Sequence, residues 1–192
     1  MITDKLDDLY EELLKKQKSL KYNKSALSKE EQREYDRLED QLYCISSYQE
    51  GHKEWYEAVA KYAKELGLKK VYDIGCCYGY QSEEFIKLGL QYVGIEICRY
   101  MKDNAYNLGN QNVEYIFKKY PCEIHPEKDS IAISHLCIGF LINTEEELKT
   151  LYDQFDNVLI DTSCGGKLDR LYKRKSENFN KKYGNYILYG KE

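Results

Sequence analysis

Residues Lys70–Ile97 read KVYDIGCCYGYQSEEFIKLGLQYVGIEI, and the fold is decided there. VYDIG is a short apolar run closed by an acid and a glycine, with Gly79 four residues beyond Gly75. SEEFIKLG has helical spacing and stops at Gly89, and QYVGIEI is a second apolar run that contains the acid Glu96. Apolar runs of this length bounded by glycine predict strands, so the stretch predicts strand, glycine turn, helix and strand. The turn has two readings. Glycine at such a bend serves chain geometry alone, or it lets the backbone and the helix N–H groups come close to a ligand.

Outward from this unit the alternation continues. RYMKDNAYNLG predicts a helix closed by Gly109, and NVEYIF, SIAISHLC and NVLIDTS predict strands, with the helix EEELKTLYDQF between the last two. LDRLYKRKSENFNKK predicts a final helix before the strand NYILYG. Strands alternating with helices imply an α/β domain with a parallel sheet covered on both faces, and ligands of such sheets sit at the carboxyl ends of the strands. The first third is helical. Leu6, Leu9, Tyr10, Leu13 and Leu14 form one apolar stripe, and Tyr35, Leu38, Leu42 and Ile45 form a second, after a capping box of Ser28 and Glu31. A third helix is expected from Lys53 to Leu66, ended by Gly67, with Trp55, Val59, Tyr62 and Leu66 inward. The expected domains are a helical extension over 1–52 and an α/β domain over 53–192.

Composition narrows the class. At 42% hydrophobic and 32% charged residues, the 192-residue chain fits neither wholesale disorder nor a membrane protein. No apolar run approaches the roughly 20 residues of a membrane span, and MITDKLDDLYEELLKK is charged where a signal peptide needs an apolar core, so a cytoplasmic protein is expected. Seven cysteines, without paired CxxC spacing or a Cys/His ladder, read as reduced thiols, and no metal is expected. From Gly165 to Glu192 there are eight basic and three acidic residues, whereas the first fifty residues carry nine basic and twelve acidic. A basic end attracts phosphates, although a lysine-rich helix face is more often only a solvated one.

The two acids give the turn its chemistry. Asp73, just before the loop, is misplaced for a pyrophosphate and suits a ligand that brings an ammonium group. Glu96, about 20 residues on, is placed to accept both hydroxyls of a ribose. An amino acid at one end and a nucleoside at the other describe S-adenosylmethionine. At these residues the chain resembles the class I S-adenosylmethionine-dependent methyltransferases, in which a strand ends in Asp or Glu followed by x-Gly-x-Gly-x-Gly. Asp73, Gly75 and Gly79 match that motif, Glu96 matches the ribose-binding acid, and the order of elements from Lys70 to Ser163 matches the fold. Cys77 departs from it, standing where the middle glycine is usual, and Lys118-Lys119 follow a strand after which many members carry an Asp.

The resemblance implies a Rossmann-like parallel-sheet sandwich of class I methyltransferase type with an N-terminal helical extension. It also implies S-adenosylmethionine as cofactor, held by Asp73, Gly75, Cys76, Gly79, Tyr80, Glu96, Ile97 and Ser134. His135, at the end of the SIAISHLC strand, is the candidate catalytic base; a strand-end histidine bonded to a backbone carbonyl is the other reading. The chain lacks the Pro-Pro-aromatic signature of amino-group DNA methyltransferases. Pro121-Cys122 follows a different strand from the one that carries the nucleophile of C5-cytosine enzymes. RNA, met through the basic C-terminal segment, is the first acceptor to expect, with small molecules or proteins as alternatives. A different class stays open: a non-catalytic module of this fold whose N-terminal stripe binds a protein or a second copy of the chain as a homodimer.

Overall fold

The computed structural model describes residues 3–21, 27–98, 101, 104–106, 112–137, 141–142, 144–161 and 188–191. The chain divides into two compact units, Met1–Trp55 and Tyr56–Glu192.

In the first unit α1 (Thr3–Lys21) and α2 (Lys29–Ser47) bury Leu6 and Leu13 on one side and Tyr35, Leu38, Leu42 and Ile45 on the other. Helix α2 starts where its capping box places it. The Ser28 hydroxyl accepts from Glu31 N at 3.2 Å, and the Glu31 carboxylate accepts from Ser28 N at 2.7 Å. A π-helical turn, Tyr48–His52, joins α2 directly to α3 (Lys53–Glu65).

The second unit is built on a six-stranded sheet: β1 (Lys70–Ile74), β2 (Gln91–Ile95), β3 (Val113–Ile116), β4 (Ser130–His135), β5 (Asn157–Asp161) and β6 (Leu188–Lys191), in the order β3-β2-β1-β4-β5-β6. Strands β1 to β5 are parallel, as alternation with helices requires. The parallel-sheet reading of the sequence holds over these five strands, and at the edge β6 runs antiparallel to β5. Mixed sheets of this kind carry the odd strand at the rim, where it has only one neighbour to match.

Helix α3 and the short α4 (Ser82–Ile86) each end in a Leu-Gly-Leu segment that leads into a strand. Gly67 N bonds to Lys64 O and Leu68 N to Ala63 O, and Gly89 N bonds to Ile86 O and Leu90 N to Phe85 O. Both are Schellman motifs with glycine in the left-handed region, φ +74° and +78°. The leucine after each glycine is buried, whereas Leu66, expected inward, is 44% exposed. Helix α3 has ended before it, so the helical stripe no longer sets its direction, and Leu68 supplies the apolar contact instead.

Alternation along the strands sorts the two faces of the sheet. One face contributes Tyr72, Ile74, Val93, Ile95, Ala132, Val158 and Ile160 to a core completed by Leu148, Leu151 and Phe155, from and just after α5 (Glu145–Gln154). The other face carries Asp73, Tyr92, Gly94, Tyr115 and His135, brought side by side by the registers Asp73↔Gly94, Gly94↔Tyr115 and Asp73↔Ile133. Phe85 of α4 packs on Tyr92 there, at 5.7 Å between ring centroids. The predicted helix over residues 99–109 lies largely outside the described residues, and the predicted helix over 168–182 lies wholly outside them. No helix among the described residues is long and apolar enough to cross a membrane.

Candidate functional site

Strands β1 and β2 end side by side, and the loop that leaves β1 is fastened to both ends. Gly75 N and Cys76 N bond to Ile95 O at 2.8 and 3.3 Å. Gly79 N bonds to Cys76 O at 2.9 Å, closing the turn before α4. Glu96 completes the fastening. Its Oε2 accepts from Cys77 N at 2.9 Å, and its Oε1 accepts from Ile97 N and Cys98 N at 2.8 and 3.0 Å. This carboxylate therefore ties the glycine loop to the end of β2, with only part of its acceptor capacity left for ligand hydroxyls.

Gly75 and Gly79 have φ of +81° and +78°. A Cβ on Gly75 would lie 2.1 Å from Cys137 Sγ, and one on Gly79 would lie 2.1 Å from the Tyr115 hydroxyl oxygen. One of the two sequence readings of the turn has these glycines leave room for a ligand. In the structure the room at these two Cβ positions is taken by the protein's own side chains. Cys77, in the middle position, adopts φ +54°. The loop keeps the left-handed backbone that glycine would supply, at the steric cost a Cβ imposes there.

Asp73 is fully buried. Its Oδ2 accepts from Gln81 Nε2 at 2.6 Å and from the Tyr92 hydroxyl at 2.7 Å, while Oδ1 has no hydrogen-bond partner among the described residues. Burial pushes its pKa up to about 6; Gln81, Tyr92 and the charge of His135 pull against that, and Glu96 adds to it. A carboxylate in such a place is expensive, and one oxygen without a donor makes it more so. That orphaned acceptor fits a ligand ammonium group, which would supply both a donor and a compensating charge.

The other residues singled out from the sequence fall into two groups. Ile97, next to Glu96, is 51% exposed, an apolar surface beside a carboxylate at the strand end. Cys76, Tyr80 and Ser134 instead face protein. Cys76 is buried with its sulfur against Gly94, and its thiol is pushed up by burial and by Asp73 and Glu96. Tyr80 is buried between Tyr78, stacked at 5.8 Å, and Tyr106, edge-on at 5.3 Å. The Ser134 hydroxyl donates to Ile74 O at 2.7 Å, fastening β4 to β1. His135 is partly exposed and sets its ring edge-to-face with Tyr56 at 5.5 Å. Sequence reasoning did not single out Gln81, Tyr92 and Tyr115. The alternation that puts Tyr92 and Asp73 on one face was available, but nothing local pairs them. No group of three or more His, Cys, Asp or Glu that could hold a metal occurs among the described residues.

No family model matches the sequence, and no curated protein matches it. Solved structures do. The plantazolicin methyltransferase BpumL, crystallised with a triazolic desmethylPZN analog and SAH, aligns at TM-score 0.51 and 18% identity over 80% of this chain and 59% of its own. A putative S-adenosyl-L-methionine-dependent methyltransferase from Methanococcus maripaludis aligns at TM-score 0.50 and 13% identity over 76% of this chain and 89% of its own. WbdD aligns at TM-score 0.48 and 17% identity over 61% of this chain; the chain spans 33% of its solved length. The fold is that of the class I S-adenosylmethionine-dependent methyltransferases.

Proposed function

We propose that the chain binds S-adenosylmethionine and transfers its methyl group. The observation that carries this is the unmatched Oδ1 of buried Asp73, one strand away from Glu96 at the end of β2 in a fold of methyltransferase type. In this reading Asp73 takes the ligand's ammonium group, Glu96 takes a ribose hydroxyl with its remaining lone pairs, and Ile97 offers apolar surface to the base. When bound, the cofactor supplies a methyl group on a positively charged sulfur. The protein's part is to hold the acceptor in line and to keep water out, which needs no dedicated base when the acceptor atom is already electron-rich. Where the acceptor must lose a proton, His135 is the residue of this sheet face that can take it.

RNA is the acceptor to test first, on the basic character of Gly165–Glu192; that segment, apart from residues 188–191, lies outside the described residues. Calorimetry with S-adenosylhomocysteine tests the cofactor, and transfer of tritiated methyl into total RNA, protein and small molecules tests the activity. Micromolar binding with label in one fraction is expected. Absence of binding would remove the reading, and binding without transfer to any fraction would favour the non-catalytic module. If RNA is the acceptor, its affinity falls steeply with salt as counterions are released, and charge reversal at Arg170, Lys173 and Arg174 weakens it without changing cofactor affinity.

A further inference from the structure

Both side-chain bonds to Asp73 fall on one oxygen. Gln81, in the loop before α4, and Tyr92, on β2, converge on Oδ2 from different elements. A carboxylate turns easily about its last torsion, which is broad and two-fold, so a single donor would leave the two oxygens free to exchange. Two donors from two directions remove that freedom. Gln81 is itself held, since its amide also donates to Cys76 O at 2.9 Å and cannot turn without losing a bond. The result is an acid with one oxygen occupied and the other kept unmatched inside the protein.

We propose that Gln81 and Tyr92 are positioning residues for the ligand's amino group: they occupy Oδ2 of Asp73 and so reserve Oδ1 as the acceptor for an ammonium. The inference rests on the S-adenosylmethionine reading above and assigns to it two residues that touch the acid rather than the ligand. Oδ1 is shielded from solvent, so the ammonium reaches it by a small shift of the loop or through one bridging water; the acceptor is the same in both cases. The two donors also favour the charged form of Asp73, against its burial. The ionisable groups whose charge bears on Asp73 are His135 from β4, Glu96 after β2, Tyr115 from β3, Cys76 in the loop and Tyr92 itself.

The test compares two ligands by calorimetry. S-adenosylhomocysteine carries the amino acid, and 5′-methylthioadenosine keeps the nucleoside and sulfur but lacks it. In Tyr92→Phe, affinity for S-adenosylhomocysteine should fall about five- to tenfold, the effect of one lost hydrogen bond, and affinity for 5′-methylthioadenosine should stay about the same. The weakening of S-adenosylhomocysteine binding on acidification should also begin at a higher pH than in the wild type, because a donor to the charged acid is gone. Gln81→Met should move that pH dependence the same way, and it decides the matter if Tyr92→Phe does not fold. Equal losses for both ligands with an unmoved pH profile would reduce both residues to packing and overturn the proposal. A wild type that binds the two ligands equally would overturn it while leaving the cofactor reading in place. A wild type that binds neither would end both.

Discussion

The carboxyl ends of β1 and β2 each present an acid to the same loop, and the two acids are held in opposite ways. Asp73 is buried and receives only side-chain donors, both on one oxygen, with its pKa pushed up to about 6. Glu96 is also largely buried, but it receives three backbone N–H groups spread over both oxygens. Backbone donors are fixed by the chain, so Glu96 contributes to the loop's shape whether or not a ligand is there. The side-chain donors of Asp73 leave its other oxygen unmatched, which costs stability. Two acids of one chemical class, 23 positions apart, thus divide into one matched on both oxygens and one matched on a single oxygen.

The largest effect should come from the loop that both acids share. Gly75→Val places a branched side chain at φ +81° with its Cβ on Cys137, so a loss of about 3 kcal/mol or more is expected from strain and overpacking together. Urea denaturation of the ligand-free protein measures it. Retention of full stability with loss of binding alone would mean that the glycine faces ligand and that the Cys137 contact yields.

The acids themselves come next and should separate. For Asp73, a folded pKa of about 6 lies above the ordinary aspartate value of 3.8, so the folded protein binds the extra proton between those values. The contribution of Asp73 to stability is therefore fully present below about pH 4 and declines as pH rises through about 6, by on the order of 3 kcal/mol, then stays level. Asp73→Asn should abolish that component, seen as a wild-type-minus-variant difference that changes between pH 4 and 6 and is flat above. Glu96→Ala should instead cost about 1–3 kcal/mol at pH 7 without any ligand, because three N–H groups lose their acceptor. A Glu96→Ala protein as stable as the wild type would return Glu96 to the role of ligand contact alone, and the contrast would collapse.

Cys77→Gly should give the smallest effect. Relief of the left-handed strain is partly offset by the greater freedom of glycine in the unfolded chain. Stability should be unchanged or higher by up to about 1 kcal/mol, and chemical denaturation at one pH is enough to show it. A clear loss would show that the Cys77 side chain makes a contact worth more than the strain it imposes.

Most of the architecture was legible because it is written in local patterns. The capping box at Ser28 and the Leu-Gly-Leu helix ends act over a few residues. So does the alternation of Tyr72, Ile74, Val93 and Ile95, which marks the core face of two strands. These are short-range steric and hydrogen-bonding effects that neighbouring residues settle among themselves. Leu66 was misjudged at a boundary of this kind, since a helical stripe extrapolated by one residue loses its meaning once the helix stops.

The sequence alone determined the alternating α/β order, the placing of Asp73 and Glu96 at neighbouring strand ends, and the glycine loop between them. Only the tertiary structure decided what each of those residues meets. The strand register brings Tyr92 to Asp73, and the fold of the loop brings Gln81 back over it. Cys137, just after β4, and Tyr115 of β3 arrive at the spaces over Gly75 and Gly79. These pairings join residues that are distant in sequence or belong to different elements, and no local propensity encodes them. They exist because parallel strands in register point their side chains to the same face, where whichever polar atoms come together in the dry interior must satisfy one another or stay unmatched.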